Sequence, residues 1–267
     1  MNTFKASKKI LNLKIRKDKY IFVCQNKIMV YNSKTLERLH KIITYDNPKG
    51  LIGINYDTHK TILAYLTPGD EHKVTIADIS TDIKKDKKEI TIQPHTHKIS
   101  YILLSYNGLL LATASEQGKK IRIFETHEGN LVQELNRESD IAEIKCMAID
   151  LKNQFIAASS DNYKIQVWSL RTAVKAIKDA KKIQIEEEES KIENSGPGIF
   201  SRMVGAKGES SFITIELKEP FYCFDFKDEQ NIIVIKENGT FCDCEIDLEK
   251  KILRSIKVKN KEENIIQ

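Results

Sequence analysis

The stretch Lys120-Ile121-Arg122-Ile123-Phe124 is one of four that share the pattern lysine, branched residue, any residue, branched residue, any residue. The others begin at Lys27, Lys73 and Lys164, so the four lysines are 46, 47 and 44 residues apart. Alternating branched residues are typical of strands with one buried face. A period of about 40–45 residues is that of propeller blades. The pattern therefore predicts a repeat of four-stranded blades.

Short apolar runs bounded by turn signals such as Asn107-Gly108 complete five such units. The predicted strands are, unit by unit, 11–16, 20–24, 27–31 and 36–43; 51–56, 61–66, 73–79 and 89–92; 99–106, 109–115, 120–125 and 131–135; 144–149, 155–160, 164–170 and 211–217; and 221–226, 232–236, 240–246 and 252–258. We therefore expect an all-β fold, a β-propeller with about five blades visible, as a single domain over residues 1–267.

Composition narrows the class of protein. A hydrophobic content of 40% with 30% charged residues fits a soluble chain with a real core and excludes a mostly disordered one. The net charge of +5 is far below that of a duplex-binding protein. Aromatic residues near lysines occupy regular strand positions, which favours inter-blade packing over nucleic-acid binding. With no signal-like or membrane-spanning apolar run, we expect a cytoplasmic protein that can associate peripherally with membranes.

Residues with chemical reactivity show no catalytic or metal-binding spacing. The five cysteines lack a CxxC pair and are expected to be reduced core thiols, with Cys242 and Cys244 on one strand face. His95 and His97 would also share a strand face, but they lack a third ligand. Nucleotide-binding and nucleophile motifs are missing from the sequence. We predict no enzymatic activity, no cofactor and no metal.

A long insertion at about residues 171–210 separates the third and fourth strands of the fourth unit. Residues 172–185 have a helix-forming composition and residues 186–189 are acidic. Further along, four apolar residues fall on one helical face beside Arg202 and Lys207. They are Ile199, Phe200, Met203 and Val204. Two interpretations stay open: a solvated loop, or a segment that inserts into a membrane surface.

Several short stretches, in this order, resemble one family. They include Asn47-Pro48-Lys49-Gly50-Leu51, Thr96-His97-Lys98, the run over residues 110–118, Glu134-Leu135 and Ser159-Ser160-Asp161. The chain resembles the PROPPINs, seven-bladed WD-repeat-like propellers that bind phosphoinositides on membranes during autophagy. The resemblance begins at what looks like the third blade. It implies that the chain lacks the first two blades and either contracts into a smaller ring or is a truncated or divergent member.

The family's Phe/Leu-Arg-Arg-Gly motif corresponds here to Leu135-Asn136-Arg137-Glu138. Asn136 replaces one arginine, and the carboxylate of Glu138 should repel a phosphate. The resemblance implies two half-preserved phosphoinositide sites. The residues of the first are His97, Thr113, Ser115 and Arg122; those of the second are Arg137, Ser159 and Ser160, with Lys164 where the family has threonine.

The resemblance implies a non-catalytic peripheral membrane adaptor that recognises phosphatidylinositol 3-phosphate or the 3,5-bisphosphate with weakened affinity. Its partners would be phosphoinositide-containing membranes and autophagy or scaffold proteins. Its expected location is the cytoplasm, at autophagic or endolysosomal membranes. The alternative is a WD-repeat-like protein–protein scaffold that has lost lipid binding. The lipid chemistry would need charge-assisted, preferably bidentate donors.

Overall fold

All twenty predicted strands are found in the structure, with ends that agree with the prediction or differ by at most two residues. The computed structural model describes residues 9–80, 89–137, 141–160, 163–179, 208–217, 219–247 and 250–259. In this described part, the chain forms 21 strands and one helix, α1, at residues 171–179. The prediction of an all-β fold built from propeller-type blades is confirmed.

Contacts divide the chain into two compact units. Unit 1 comprises Met1–Thr113 with Thr126–Gly129, and unit 2 comprises Ala114–Glu125 with Asn130–Gln267. Two antiparallel sheets of unit 1 follow chain order, β1-β2-β3-β4 and β5-β6-β7-β8. Their strands are β1 Asn12–Ile15, β2 Lys19–Cys24, β3 Lys27–Asn32, β4 Arg38–Ile43, β5 Gly53–Ile54, β6 Ile62–Leu66, β7 Val74–Asp78 and β8 Glu89–Ile92.

A third sheet has the order β16-β12-β11-β10-β9, and the boundary between the units falls within β10. Its strands are β9 Ile99–Leu104, β10 Leu110–Ser115, β11 Lys120–Glu125, β12 Leu131–Asn136 and β16 Glu209–Ser210. Strand β16 was not predicted. It pairs in parallel with the end of β12, where Leu135 lies opposite Glu209. A two-residue strand has no periodicity that a sequence pattern could reveal.

Unit 2 contains two more antiparallel sheets, β13-β14-β15-β17 and β18-β19-β20-β21. Their strands are β13 Cys146–Ile149, β14 Phe155–Ser159, β15 Lys164–Ser169, β17 Ile213–Glu216, β18 Phe221–Phe226, β19 Asn231–Lys236, β20 Phe241–Asp247 and β21 Ile252–Lys259. The second of these sheets is a meander of four consecutive strands. In the first, β15 and β17 are neighbours in space although the insertion and β16 lie between them in sequence.

The repeated lysine pattern marks the third strand of each of the first four sheets. In every copy the two branched residues point into the core and are at most 2% exposed. These residues are Ile28 and Val30, Val74 and Ile76, Ile121 and Ile123, and Ile165 and Val167. Successive side chains of a strand alternate between faces, so a lysine followed by two alternating branched residues places one entire strand face in the core. This is why the repeat was visible in the sequence.

Each unit has its own apolar core. In unit 1 the first two sheets contribute a cluster that includes Ile21, Val30, Leu63 and Ala77. In unit 2 the last two sheets contribute a cluster that includes Val167, Ile215, Phe224, Val234 and Cys244. Burial of an aliphatic or aromatic side chain contributes about 1.5–3 kcal/mol. These clusters therefore supply much of the stability of their sheets.

The insertion begins with α1, as its helix-forming composition predicted. The side chain of Gln133 on β12 holds the start of this helix, because its Oε1 accepts a hydrogen bond from Ala173 N (3.2 Å) and its Nε2 donates to Ser169 O (2.8 Å). At the other end of the insertion, Glu209 accepts a hydrogen bond from Thr172 Oγ1 (2.8 Å). The start of the insertion is thus tied to β12, its end pairs with β12 through β16, and the two ends are tied to each other.

Two sequence expectations about individual side chains are corrected. Cys24, Cys146, Cys242 and Cys244 are buried free thiols, but Cys223 is exposed. His95 and His97 do not share a strand face, because they precede β9 and only His95 is buried. In the described ranges no group of acidic, histidine or cysteine side chains has the geometry of a metal site. Among the same residues, no helix is long and apolar enough to cross a membrane.

Candidate functional site

Arg137, the arginine kept in the degenerate motif, follows directly after β12 and is only 6% exposed. Its Nη1 donates to Gly118 O (3.0 Å) and to Ala142 O (2.7 Å), and its Nη2 donates to Ser160 Oγ (2.9 Å). The backbone N of Arg137 also donates to Lys119 O (2.8 Å). The guanidinium fork therefore joins the β10–β11 turn to the chain that leads into β13 and to the end of β14.

Gly118 is what allows this close approach. It has a φ of +59°, and a Cβ at this position would lie 1.9 Å from Ala142 O and 2.9 Å from Arg137 Nη1. Its N donates to Ser115 O (2.9 Å), which closes the turn. A side chain here would collide with backbone and with the arginine, so the turn requires glycine.

Two serines of the second predicted site stand at the end of β14: Ser159 is its last residue and Ser160 follows it. Ser160 is 5% exposed and accepts the hydrogen bond from Arg137. Ser159 is 2% exposed, and its Oγ receives no hydrogen bond from any described residue. A buried hydroxyl without a partner costs about 1–3 kcal/mol. Ser159 is therefore a polar group with spare hydrogen-bonding capacity in the protein interior.

Asn136, which replaces the first motif arginine, contacts Trp168 and the end of the insertion. Its carbonyl accepts a hydrogen bond from Trp168 Nε1 (3.2 Å), and it pairs with Ser210 at the end of the insertion. A Cβ on Gly208 would lie 2.2 Å from Asn136 Nδ2, so the backbone at Gly208 runs close against this side chain. Glu138, the last residue of the motif, lies outside the described residues.

Arg122, assigned to the first site, is paired across the sheet with Glu134. Its Nε donates to Glu134 Oε2 (2.8 Å), while Lys120 Nζ donates to Glu134 Oε1 (2.5 Å). Partial burial alone would raise the pKa of Glu134, but the hydrogen bonds from Lys120 and Arg122 outweigh burial and lower it. The two cations share one carboxylate, so this cluster carries one net positive charge rather than two.

Lys164 of the second site lies at the start of β15, opposite Glu216 of β17. Its Nζ is 2.6 Å from Glu216 Oε1, and both side chains are largely exposed. A surface pair of this kind contributes up to about 1 kcal/mol and is screened by salt. Lys164 can therefore exchange its carboxylate partner for another anion at low cost.

Thr113, assigned to the first site, contacts the imidazole of His95, which was not among the predicted site residues. Thr113 is fully buried on β10, and its Oγ1 is 3.1 Å from His95 Nε2. His97 lies in an exposed bend before β9. Ser115, two residues after Thr113 on the same strand, is 6% exposed. The first-site residues His97, Thr113, Ser115 and Arg122 stay a prediction as a lipid site.

Sequence reasoning missed three groups that hold these side chains: His95, Glu134 and Ala142. A signal existed for Glu134, since an acidic residue on the fourth strand of a blade faces Lys120 and Arg122 on the third. No signal existed for Ala142, which takes part through its carbonyl. The predicted membrane-inserting residues Ile199, Phe200, Met203 and Val204 lie outside the described residues.

Comparison with known proteins decides the family. The PROPPIN family model matches residues 1–182, more than half of the chain. The chain belongs to the PROPPIN family. This result confirms the resemblance drawn from short motifs such as Asn47-Pro48-Lys49-Gly50-Leu51 and Glu134-Leu135.

Curated relatives of this PROPPIN include autophagy-related proteins. It is 29% identical to autophagy-related protein 18e of Arabidopsis thaliana over 251 residues, which cover 92% of this chain and 61% of that protein. It is 27% identical to autophagy-related protein 18 of Komagataella pastoris over 200 residues, which cover 63% of this chain and 36% of that protein. The PROPPIN described here thus spans less than two thirds of the length of either relative.

Solved structures agree on the fold. Hsv2 of Kluyveromyces lactis superposes with a TM-score of 0.71 at 15% identity, covering 96% of this chain and 74% of Hsv2. KlAtg21, solved in complex with the coiled coil of AgAtg16, gives a TM-score of 0.68 at 18% identity and covers 96% of this chain and 72% of KlAtg21. At these identities the likeness establishes the propeller-type fold of this PROPPIN.

Proposed function

We propose that this PROPPIN is a non-catalytic adaptor of autophagic or endolysosomal membrane traffic that recognises phosphatidylinositol 3-phosphate or the 3,5-bisphosphate weakly. Family membership and its autophagy-related relatives support the adaptor role. The observation that carries the lipid proposal is the hydrogen bond between Arg137 and Ser160, two residues assigned to the same site on independent parts of the sequence. Ser159, whose hydroxyl has no partner among the described residues, and Lys164, whose partner Glu216 is exposed, lie in the same unit.

The affinity is expected to be low because the cations already have partners. Arg137 donates to two carbonyl oxygens as well as to Ser160, so a phosphate must compete with bonds inside the protein. Arg122 is held by Glu134, and Lys164 by Glu216. A phosphate that displaces these contacts gains charge-assisted hydrogen bonds but loses the internal ones. The net gain is therefore smaller than it would be for free cations.

Flotation with vesicles tests the proposal. Flotation of the protein is compared between vesicles made of neutral lipid alone and the same vesicles with added phosphatidylinositol 3-phosphate, at low and at physiological ionic strength. We expect weak binding that depends on the phosphoinositide and decreases as salt increases. Equal flotation with both kinds of vesicle at low salt would overturn the lipid proposal.

A gain-of-function variant sharpens this test. Asn136→Arg with Glu138→Gly restores the two-arginine motif and should increase phosphoinositide binding about tenfold, the value of one charge-assisted hydrogen bond. The matched control is Asn26→Arg with Glu37→Gln, which makes the same charge change at two exposed residues in the turns between strands of the first sheet. Equal gains in both double variants would mean that charge alone, and not the motif, determines membrane binding.

A second candidate function is a protein–protein scaffold without lipid binding. The engagement of Arg122 and Lys120 by the single carboxylate of Glu134 favours it, because this arrangement stabilises the sheet without any ligand. KlAtg21, a protein of the same fold, was solved with a coiled coil bound. The scaffold would be favoured if neither the natural chain nor the restored variant floated with phosphoinositide vesicles while both remained folded.

A further inference from the structure

A cavity of about 330 Å³ lies within unit 1, away from every residue assigned to lipid binding. It is formed by the second sheet, by the connection between β5 and β6, and by the turns at Asn107-Gly108-Leu109 and Thr126-His127. Gly108 has a φ of +74°, and a Cβ there would lie 3.2 Å from Ile62. The glycine therefore sets how closely the 107–109 turn approaches the second sheet.

The floor of the cavity is aliphatic. It is made by Ile62, Ile76, Ile90 and Leu109. Ile76 and Ile90 are direct cross-strand neighbours on β7 and β8, and Ile76 is only 2% exposed. Leu109 is 37% exposed, so the cavity opens to solvent beside an apolar side chain. A concave apolar surface of this size is at the lower end of known ligand pockets.

The cavity is also lined by the carboxylates of Asp57 and Asp78, and each accepts hydrogen bonds through one of its two oxygens. Asp78 Oδ1 accepts hydrogen bonds from Ser80 N (2.9 Å) and from the Ser80 hydroxyl. Asp57 Oδ1 accepts one from His59 N (3.0 Å). Within the described residues, the Oδ2 atoms of Asp57 and Asp78 receive no hydrogen bond. Both aspartates therefore retain an open acceptor.

The charge of the rim favours a cation. Besides the two aspartates, the lining contains Lys60, His59 and His127. With the histidines neutral, two carboxylates and one ammonium leave a net charge of −1. A positive group that enters beside Asp57 or Asp78 gains a charge-assisted hydrogen bond to an open oxygen, whereas a carboxylate is repelled.

We propose that this cavity binds a short segment of a partner protein in which a branched aliphatic side chain stands next to lysine or arginine. The aliphatic side chain occupies the floor formed by Ile62, Ile76 and Ile90, and the neighbouring cation bonds to Asp57 or Asp78. Anchors of this type, one apolar side chain in a pocket with polar groups at its edge, account for much of the affinity in peptide recognition. The site is independent of the proposed lipid binding, since it uses none of the same residues.

Methyl NMR of the full chain, labelled at isoleucine, tests this proposal with two small probes. The probes are N-acetyl-Leu-Lys-amide and N-acetyl-Leu-Glu-amide, which share the anchor and differ in charge. We expect the lysine probe to shift the methyl signals of Ile62, Ile76 and Ile90, and to bind about fivefold more tightly than the glutamate probe, as one exposed ion pair implies. The signal of Ile165, in the core of unit 2, should not move.

Variants identify the groups responsible. Asp78→Asn should reduce the preference for the lysine probe, and Asp57→Asn serves as a second variant because Asp78 also holds the turn at Ser80. The matched control is Asp46→Asn, an exposed aspartate whose Oδ1 accepts a hydrogen bond from Gln25 Nε2 (2.8 Å), and it should leave the binding of both probes unchanged. Leu109→Ala should weaken both probes equally.

Three results would overturn the proposal. The first is no shift of the Ile62, Ile76 and Ile90 signals with either probe. The second is equal affinity for the two probes, which would remove the role of the aspartates. The third is an equal effect of Asp46→Asn and Asp78→Asn. None of these readouts involves a lipid, so failure here and failure of flotation are distinguishable.

Discussion

Unit 1 and unit 2 each contain a buried arginine directly after a strand, and only one of them belongs to a recognised motif. Arg16, after β1, is 4% exposed and bonds to Asp18 Oδ1 (3.0 Å), to Asn55 O (2.6 Å) and Oδ1 (2.9 Å), and to the carbonyls of Asp57 (3.0 Å) and Lys60 (3.3 Å). Arg137, after β12, bonds to the carbonyls of Gly118 and Ala142 and to Ser160.

Arg16 and Arg137 have similar structural roles, although only Arg137 belongs to a motif associated with lipid binding. In both, the planar guanidinium joins loops of adjacent sheets by donating to backbone oxygens, a role that its five donors suit. Arg16 performs this role with no lipid site predicted around it. Both also bond to side chains: Arg16 to the carboxylate of Asp18 and the amide of Asn55, and Arg137 to the hydroxyl of Ser160. A hydroxyl is a weaker acceptor than a carboxylate, so a phosphate replaces a contact with a hydroxyl such as Ser160 more easily than one with a carboxylate.

The largest expected effect is that of Arg16→Ala. Removal of this guanidinium takes away the hydrogen bond to Asn55 O in a fully buried residue. It also removes one of two donors from Asn55 Oδ1, which keeps Ile62 N, and from the carbonyls of Asp57 and Lys60, which keep Asn55 Nδ2. We expect the free energy of unfolding to fall by about 3 kcal/mol or more. Chemical denaturation measures it, with the exposed Arg38→Ala as control. A loss no greater than that of Arg38→Ala would show that buried arginines do not hold these sheets together.

A smaller effect is expected for Gly118→Ala, which tests the surroundings of Arg137. The new Cβ would meet Ala142 O and Arg137 Nη1 in a backbone with positive φ, and we expect a loss of about 2–3 kcal/mol from clash and strain. Gly69→Ala is the control, since Gly69 has a φ of +83° with nothing within 4 Å of the added Cβ. The Gly69→Ala variant should lose about 1 kcal/mol in the free energy of unfolding. Equal losses would mean that the packing around Arg137 is loose.

The smallest effect concerns Glu134, which holds the half-exposed Arg122. Its pKa is lowered in the folded protein relative to the unfolded chain. The carboxylate therefore contributes stability above the unfolded pKa, and this contribution is lost as the pH falls through the folded value. We expect Glu134→Gln to cost less than about 1 kcal/mol at pH 7, and the difference from the natural chain to shrink below about pH 4.

Denaturation at several pH values, with Glu37→Gln as an exposed control, checks this expectation. A difference that grows as the pH falls would contradict it. The three predictions together rank the arginines by how much their surroundings contribute to the free energy of unfolding. The buried Arg16 contributes most, the buried Arg137 with its hydroxyl partner Ser160 less, and Arg122 at the sheet surface least.

Much of the fold could be predicted because its signals are local. Strands such as β8, β11 and β18 have the predicted bounds, since the period-two alternation of a half-buried strand is visible within six residues. The predicted pairing of Cys242 and Cys244 on one face followed from the same alternation, and both are buried. Cys223 was expected in the core because it stands among strand-forming residues without a CxxC partner, but it is exposed on β18. Alternation shows that a strand has two faces, but it does not always show which of the two is buried by the rest of the protein.

The contacts within the predicted site could not be derived from side-chain alternation. The grouping of Arg137 with Ser160 came from the family resemblance, and the two residues are indeed in contact. The partners Ala142, through its carbonyl, and Gly118, through its positive φ, depend on the course of two turns that no pattern describes. His95 rather than His97 meets Thr113, because a bend before β9 turns one imidazole inward and the other outward.

The sequence by itself determined the family and the five blade-type sheets found in the described residues, because side-chain alternation and repeat length depend on residues that are near one another in the linear order. Only the tertiary structure decided which charges meet: Arg122 with Glu134, Lys164 with Glu216, and Arg137 with two carbonyls and a serine. Those pairings depend on strand register and turn geometry, where a shift of one residue moves a side chain to the opposite face. For the same reason, the aliphatic cavity with its open aspartates became visible only in the folded chain.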